Sequence, residues 1–459
     1  MPFKKRVVRR WVASYYAPNF LMPPLELMSL GAIVKEWKKE PVFLIDAVAE
    51  KWNISRVINE LRRLNPDLLV TMPGFNIFPQ DMETLNEISA CLPKTKVICF
   101  GYLPTQFPDE VLKRTRVDII IKNEPEFIFS EVYDCLKFNR DLSQIKGIAY
   151  KDGENILVNN DRDRIKDLDS LPFPDHSLIN LKYYSESFLD RPIGIILSER
   201  GCPYSCTYCV RTYGKELVSR SADNILNEID HLFLKHKIKN IRFLDDTFTL
   251  NKKRLHAIVQ GILDRNLNIN WTCLTRLDNL DRESLELMKR SGCKRIYLGI
   301  ESGSQEILDY YKKHLTLNVI KEKVFLIKES GIEISAFFIV GAPSEDKKDV
   351  EKSIKLAKDL NLDYVIVTKL QYWPGTELFD GIKQNIKLDI FSSKGILEQI
   401  SAYKDSHILQ KYFYKDFYLN PRYIFKRFGN LMNQPLDILT GFKNLIRYLY
   451  NEKDTDDFI

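Results

Sequence analysis

Three thiols lie close together in Gly201-Cys202-Pro203-Tyr204-Ser205-Cys206-Thr207-Tyr208-Cys209, a C-x3-C-x2-C spacing. They follow the apolar run 193–198, which reads as a strand. A loop at a strand's C-terminal end can bring three thiolates to one centre. Iron–sulfur clusters are held by thiolates, and three ligands to a four-iron cluster leave one iron open to a substrate. A structural zinc ion takes four protein ligands, and the next candidates, His231 and Cys273, are reachable only through the fold. Incidental burial is the remaining reading, disfavoured by the tight spacing and the flanking Gly201 and Pro203. The other five cysteines, Cys91, Cys99, Cys135, Cys273 and Cys293, stand singly in helix- or strand-like stretches and read as packing residues.

Other candidates are less specific. Glu301 ends the apolar run 295–300, where it is either a solvated carboxylate or an acceptor for a cationic ligand. Asp245 and Asp246 are neighbours that face opposite ways in extended chain, so they read equally as site or scaffold. Gly299 to Gly303 is one residue out of register with a serine-hydrolase elbow, which excludes that chemistry. Neither G-x-G-x-x-G nor a P-loop occurs, so dinucleotide and P-loop readings lack support.

The elements that must position these residues alternate. At roughly 100–200 residues per domain, a chain of 459 residues has room for two to four. Over residues 1–140, strand-like runs at 41–45, 68–72, 97–100 and 118–121 alternate with helical spacing at 54–64 and 81–92. Such alternation predicts a parallel sheet with ligands at the strands' carboxyl ends. Residues 141–192 read as a linker with a hairpin at Asp152-Gly153 and an extended Leu171-Pro172-Phe173-Pro174. From 193 to 395, six strand-like runs (193–198, 241–244, 271–274, 295–300, 332–340, 364–370) alternate with helices, the first capped by Ser221. Six such units predict a barrel or partial barrel with its chemistry at the strand C-terminal ends.

On these residues the chain resembles the cobalamin (B12)-dependent branch of the radical S-adenosylmethionine (SAM) superfamily. The family's C-x3-C-x-aromatic-C loop is similar to Cys202, Cys206, Tyr208 and Cys209. Residues 243–249 (FLDDTFT), Gly299-Ile300-Glu301-Ser302-Gly303-Ser304, Gly341-Ala342-Pro343 and Pro374-Gly375-Thr376 resemble its later barrel motifs. Pro23-Pro24-Leu25, Leu44-Ile45-Asp46, the 101–108 loop, the 118–126 segment and the 167–174 linker resemble its cobalamin-binding part. Asn123 and Pro125 depart from the usual glycines, as Tyr102 does from a glycine pair, and no D-x-H-x-x-G offers a histidine to cobalt.

The resemblance implies an α/β fold: an N-terminal Rossmann-like parallel-sheet cobalamin-binding domain, a partial (β/α)6 radical SAM barrel, and a small helical C-terminal cap over 396–459. It implies a [4Fe–4S] cluster on Cys202, Cys206 and Cys209, with SAM's amino and carboxylate groups on the fourth iron. Tyr208, Glu301, Ser302, Arg276 and Gly341 are the implied SAM-side contacts, although Arg276 reads equally as a surface arginine. Thr71, Gly101, Pro104, Thr105 and Glu124 are the implied cobalamin-side loop residues. One SAM would methylate cobalamin. The other would yield the 5′-deoxyadenosyl radical that activates a C–H bond of a small-molecule substrate, with electrons from a donor such as flavodoxin or ferredoxin. A non-methylating oxidative cyclase, a ring-rearranging enzyme and a non-enzymatic cluster-binding subunit stand as alternatives.

The rest of the composition narrows the setting. Lys+Arg 68 against Asp+Glu 62 is nearly balanced, which argues against a nucleic-acid partner. The basic start (Lys4, Lys5, Arg6, Arg9, Arg10) lacks a following apolar segment, and no run reaches the ~18 apolar residues of a membrane span, so a cytoplasmic setting is expected. The aromatic, basic tail 412–423 reads as a cap on the barrel mouth or as a peripheral membrane contact, with nucleic-acid binding a third reading. Changing Cys206 to Ala removes a proposed cluster ligand. SAM cleavage by the reconstituted variant, followed as 5′-deoxyadenosine, should then fall to background.

Overall fold

The computed structural model describes residues 8–9, 14–15, 21–186, 189, 191–392, 396–403 and 405–430. The basic residues Lys4, Lys5, Arg6 and Arg10, and residues 431–459 of the implied cap, lie outside the described residues. The chain divides into two compact units, Met1–Ser185 with Thr212–Gly214 and Ile386–Gln399, and Glu186–Arg211 with Lys215–Asn385 and Ile400–Ile459.

In the first unit, β1 (Leu68–Thr71), β2 (Lys96–Phe100) and β3 (Ile119–Ile121) run parallel in that order. The expected hairpin, β4 (Ile148–Asp152) and β5 (Asn155–Val158), adds antiparallel to β3, so it belongs to this sheet. Helices α1 (Ile54–Leu64), α2 (Phe78–Ala90) and α3 (Pro125–Lys137) carry apolar stripes, and Asn53 caps α1 by accepting from Arg56 N at 2.9 Å. Ile98, Phe100, Ile119 and Ile121 are buried between the layers with Ile128, Phe129 and Val132 of α3.

One expected strand is absent. Residues 41–46 have no regular pairing, and Phe43 is 66% exposed. The Asp46 carboxylate accepts from Val48 N and Ala49 N, pulling the chain into a turn where a strand would have continued.

The second unit has six parallel strands: β6 (Ile193–Ile196), β7 (Asn240–Phe243), β8 (Asn270–Thr275), β9 (Cys293–Glu301), β10 (Glu333–Val340) and β11 (Tyr364–Lys369). Each pairs with its sequence neighbours, and no pairing joins β11 to β6. This is the α/β architecture expected, with a barrel that does not close. Helices α4 (Ala222–His236), α5 (Lys252–Asp264), α6 (Arg282–Arg290), α7 (Gln305–Tyr310), α8 (Leu317–Ser330) and α9 (Lys347–Asp359) connect the strands. Ser221 caps α4 as expected, accepting from Asn224 N at 3.1 Å. Ile225, Leu226, Ile229 and Leu232 of α4 are buried.

An open parallel sheet leaves β11 with unpaired backbone groups. Helices α10 (Ser406–Tyr418) and α11 (Pro421–Asn430) cover that edge. Tyr418 Oη accepts from Val365 N at 3.1 Å and donates to Val365 O at 2.9 Å. Tyr414 Oη does the same for Val367, at 2.9 and 3.2 Å, and Gln410 Nε2 donates to Val367 O. The tail aromatics therefore seal the barrel's edge, where a place on its mouth was expected. Tyr423 and Lys426 are also engaged there, with Asp363. Among the described residues no helix is long and apolar enough to cross a membrane. Changing Tyr418 to Phe strips hydrogen bonds from an edge N–H and C=O. It should lower unfolding stability by about 1–2 kcal/mol in a denaturant titration.

Candidate functional site

The loop 201–217 leaves the top of β6 and is pinned at its base. Glu199–Arg200 pairs antiparallel with Val218–Ser219. Asp245, just past β7, is fully buried, and its carboxylate accepts from Ser198 N (2.6 Å), Ser198 Oγ (2.6 Å) and Glu199 N (2.8 Å). Asp245 is therefore a scaffold residue for the loop's takeoff, while Asp246 is exposed and acts electrostatically on Cys209 and Cys202. Arg254 of α5 adds bonds to Ser198 O and Glu199. Burial, then the neighbouring Asp245, pushes the Glu199 carboxyl up to about 8.

Cys202, Cys206 and Cys209 are all free thiols on this loop, each partly exposed. Among the described residues, the three whose ligand atoms lie within 4.8 Å of one another are His256, Asp281 and Glu283, on the outer helices. The three loop sulfurs do not meet that spacing, which one shared ion would require. A multi-iron cluster instead takes each thiolate on its own iron, so the donor set fits a cluster better than zinc. Its chemistry also calls for a cation. The Cys209 sulfur is ringed by protein atoms although the residue keeps some solvent exposure. That burial, followed by Asp246 and the other two cysteines, pushes its thiol up to about 12. Burial likewise raises Cys202. Iron, if held by these sulfurs, would offset this penalty by favouring the thiolate form.

The middle of the loop is clamped from β9 and the segment after α7. Thr207 N donates to Tyr311 O (3.1 Å), and Thr207 Oγ1 donates to Tyr310 O (3.2 Å). Tyr208 packs edge-on against Tyr311, centroids 5.0 Å apart, and donates its hydroxyl to Glu301 Oε1 at 2.9 Å. Glu301 is 5% exposed and sits in the left-handed region, φ +70, a costly conformation for a side chain of its kind. Lys313, equally buried, donates to the same Oε1 at 2.7 Å and lies 3.4 Å from Tyr208 Oη. Both bonds go to Oε1, so Glu301 Oε2 is left without a hydrogen bond among the described residues.

Gly299 makes this arrangement possible. A Cβ there would lie 2.2 Å from Glu301 Oε1 and 2.6 Å from Lys313 Nζ. The sequence motif included Gly299 without the reason for it, and no signal pointed to Lys313. Their importance arises from contacts between β9 and a segment a dozen residues on.

Arg276, just past β8, is 6% exposed. Its Nη1 lies 3.7 Å from Cys206 Sγ, Nη2 donates to Lys313 O at 2.8 Å, and Nε donates to Asp278 Oδ1 at 3.0 Å. Ser302 is fully buried and its hydroxyl accepts from Ser304 N, shaping the turn after β9. Gly341 has φ +93 and donates its N–H to Glu345 Oε2.

In the first unit, the implied cobalamin-side residues occupy the carboxyl ends of β1, β2 and β3. Thr71 ends β1. Gly101 follows β2 at φ +119, where a Cβ would approach Met72 Cγ to 3.2 Å. Pro104 is buried in the short helix after Gly101, and Thr105 Oγ1 accepts from Asn123 N at 3.1 Å, tying two loops together. Asn123 stands in for a glycine at φ +60, a conformation asparagine tolerates, and Pro125 opens α3 at a position suited to proline. Both residues are thus compatible with the backbone they occupy. The Glu124 carboxylate accepts from Ile165 N at 2.9 Å and holds the linker. Gln80, in the first turn of α2, has a buried side-chain oxygen with no partner among the described residues, a polar group a ligand could satisfy.

The radical SAM superfamily profile matches residues 196–357, from β6 into α9. The chain is 31% identical over 416 residues to the uncharacterized methyltransferase PH0819 of Pyrococcus horikoshii, spanning 88% of this chain and 89% of that one. It is 26% identical to the anaerobic magnesium-protoporphyrin IX monomethyl ester cyclase of Cereibacter sphaeroides, over 82% of this chain and 63% of that one. The cobalamin-dependent SAM radical enzyme OxsB, solved with aqua-cobalamin and SAM, superposes with a TM-score of 0.73 at 17% identity, covering 90% of this chain and 69% of that one. A relative so similar across most of both chains shows the family: this protein belongs to the radical SAM superfamily, with the fold of its cobalamin-dependent members.

Proposed function

We propose that this protein is a cobalamin-dependent radical SAM enzyme whose reaction is methylation of an unreactive carbon in a small molecule. The observation that carries the reading is the clamped loop that presents three free thiols, Cys202, Cys206 and Cys209, beside the buried Glu301. When bound, the cluster supplies an electron to SAM and thereby a 5′-deoxyadenosyl radical, and cobalamin supplies the methyl group.

The chain's own residues hold, orient and shield. Cys202, Cys206 and Cys209 hold the [4Fe–4S] cluster. Tyr208 and Lys313 turn Glu301 so that Oε2 is available to a SAM ammonium or hydroxyl. Ser302 and Gly341 shape the turns that border the same strand ends, and Arg276 backs the cluster loop. Thr71, Gly101, Pro104 and Thr105 line the carboxyl ends of the first sheet for cobalamin, with Glu124 fixing the linker behind them. A flavodoxin or ferredoxin is the proposed electron donor. The methyltransferase relative favours methyl transfer. The cyclase relative keeps non-methylating oxidative cyclisation as the second reading.

Anaerobic reconstitution with iron, sulfide and hydroxocobalamin tests the cofactor set. The protein should bind corrin and produce 5′-deoxyadenosine. Cleavage without corrin binding would remove the methyltransferase reading. With a cell extract of small molecules and methyl-labelled SAM, label should appear in product; unlabelled product would favour cyclisation. Changing Gly299 to Ala places a methyl group against the Glu301–Lys313 pair. SAM affinity measured by equilibrium dialysis should weaken roughly tenfold or more while the iron content holds.

A further inference from the structure

We infer that Arg276 acts on the cluster, as a positioning and charge-tuning residue for Cys206 that raises the cluster's reduction potential. The inference rests on the reading above that Cys206 is a cluster ligand. Its own support is the committed geometry of the guanidinium.

Its Nε, its Nη2 and one face of its plane are fixed by protein. Nε and Nη2 grip Asp278, with Nε to Oδ1 at 3.0 Å and Nη2 to Oδ2 at 3.1 Å. Nη2 also donates to Lys313 O at 2.8 Å. The plane lies over the Tyr204 ring, 3.8 Å from its centroid. Tyr204 is held in turn, donating its hydroxyl to Asn279 Oδ1 at 3.2 Å and accepting at its carbonyl from Arg211 Nη1 at 3.0 Å. What remains is Nη1, and it points to Cys206 Sγ at 3.7 Å. A group fixed this way is a pre-aimed N–H···S donor.

The sign of its effect follows from charge. One-electron reduction of a [4Fe–4S] cluster adds a negative charge that spreads onto the ligand sulfurs. A cationic donor on one of those sulfurs stabilises the reduced form more than the oxidised form, and hydrogen bonds to the sulfurs are among the determinants of cluster potential. Asp278 opposes the effect, but its side chain is 32% exposed and grips the far side of the guanidinium. Solvent screens it more than it screens the buried Nη1. The guanidinium keeps its protons throughout, and the electron comes from a reductant of the flavodoxin or ferredoxin class. Lys313 closes the circuit. Its carbonyl fixes Arg276 while its ammonium fixes Glu301, so one residue sets the register of both.

The test is an anaerobic redox titration of the reconstituted protein, followed by the electron paramagnetic resonance signal of the reduced cluster. Wild type, Arg276→Gln and Arg276→Lys are compared at equal iron and sulfide content. At a fixed poise near the wild-type midpoint, the Gln variant should show a reduced-to-oxidised ratio about tenfold lower, the equivalent of one hydrogen bond to a charged group. The Lys variant should lie between. An unchanged midpoint in the Gln variant would overturn the inference. So would loss of the cluster in both variants, which would assign Arg276 to assembly alone. If wild type itself assembles no cluster, the functional reading fails first, and the two failures are told apart.

Discussion

The buried Glu301–Lys313 ion pair, shared with the Tyr208 hydroxyl, is the interaction on which the site depends. Burying two charges is costly, and removing one partner of such a pair typically costs about 3–5 kcal/mol because the other is left uncompensated. The pair is therefore better understood as a device for position than as a source of stability. It engages the carboxylate of Glu301, a residue at positive φ. It draws in Tyr208 from the cysteine loop, and it uses the space that only Gly299 leaves open. Through the Lys313 carbonyl it also fixes Arg276 and hence the approach to Cys206. One buried pair thus sets the geometry of the thiol loop and of the acceptor beside it.

A second constraint comes from the open barrel. Six parallel strands that do not close leave two edges, and at β11 the molecule covers one of them with tyrosine hydroxyls in place of a seventh strand. Tyr414 and Tyr418 are one helical turn apart, and Val365 and Val367 lie two apart on β11, so the helical and strand repeats match well enough for each hydroxyl to meet one residue's N–H and C=O. The apolar sides of the same helix bury Phe413 and Phe417. A segment that composition alone left between cap and membrane contact has a definite structural task.

Much of the fold was readable in the sequence, because its signals are local. The run-and-stripe alternation located the six barrel strands to within a few residues, and Ser221 announced the helix it caps. The strand expected at 41–45 failed because the Asp46 side chain competes for nearby backbone N–H groups, and apolar periodicity does not register that competition. The placement of the three cysteines on one loop after a strand was legible from their spacing. Lys313 was not, because a lysine after a helix looks like a solvated one until β9 is laid beside it. The even choice at Asp245-Asp246 resolves once the bonds to Ser198 and Glu199 are seen.

On the proposed function, this loop holds a four-iron cluster with one iron open to SAM beside Glu301. Electron–nuclear double resonance on the reduced, reconstituted protein tests it directly, using SAM carrying 15N at the amine and 17O at the carboxylate. Hyperfine coupling of both labels to the cluster is the expected result. A four-iron signal showing no coupling to either label would contradict the account.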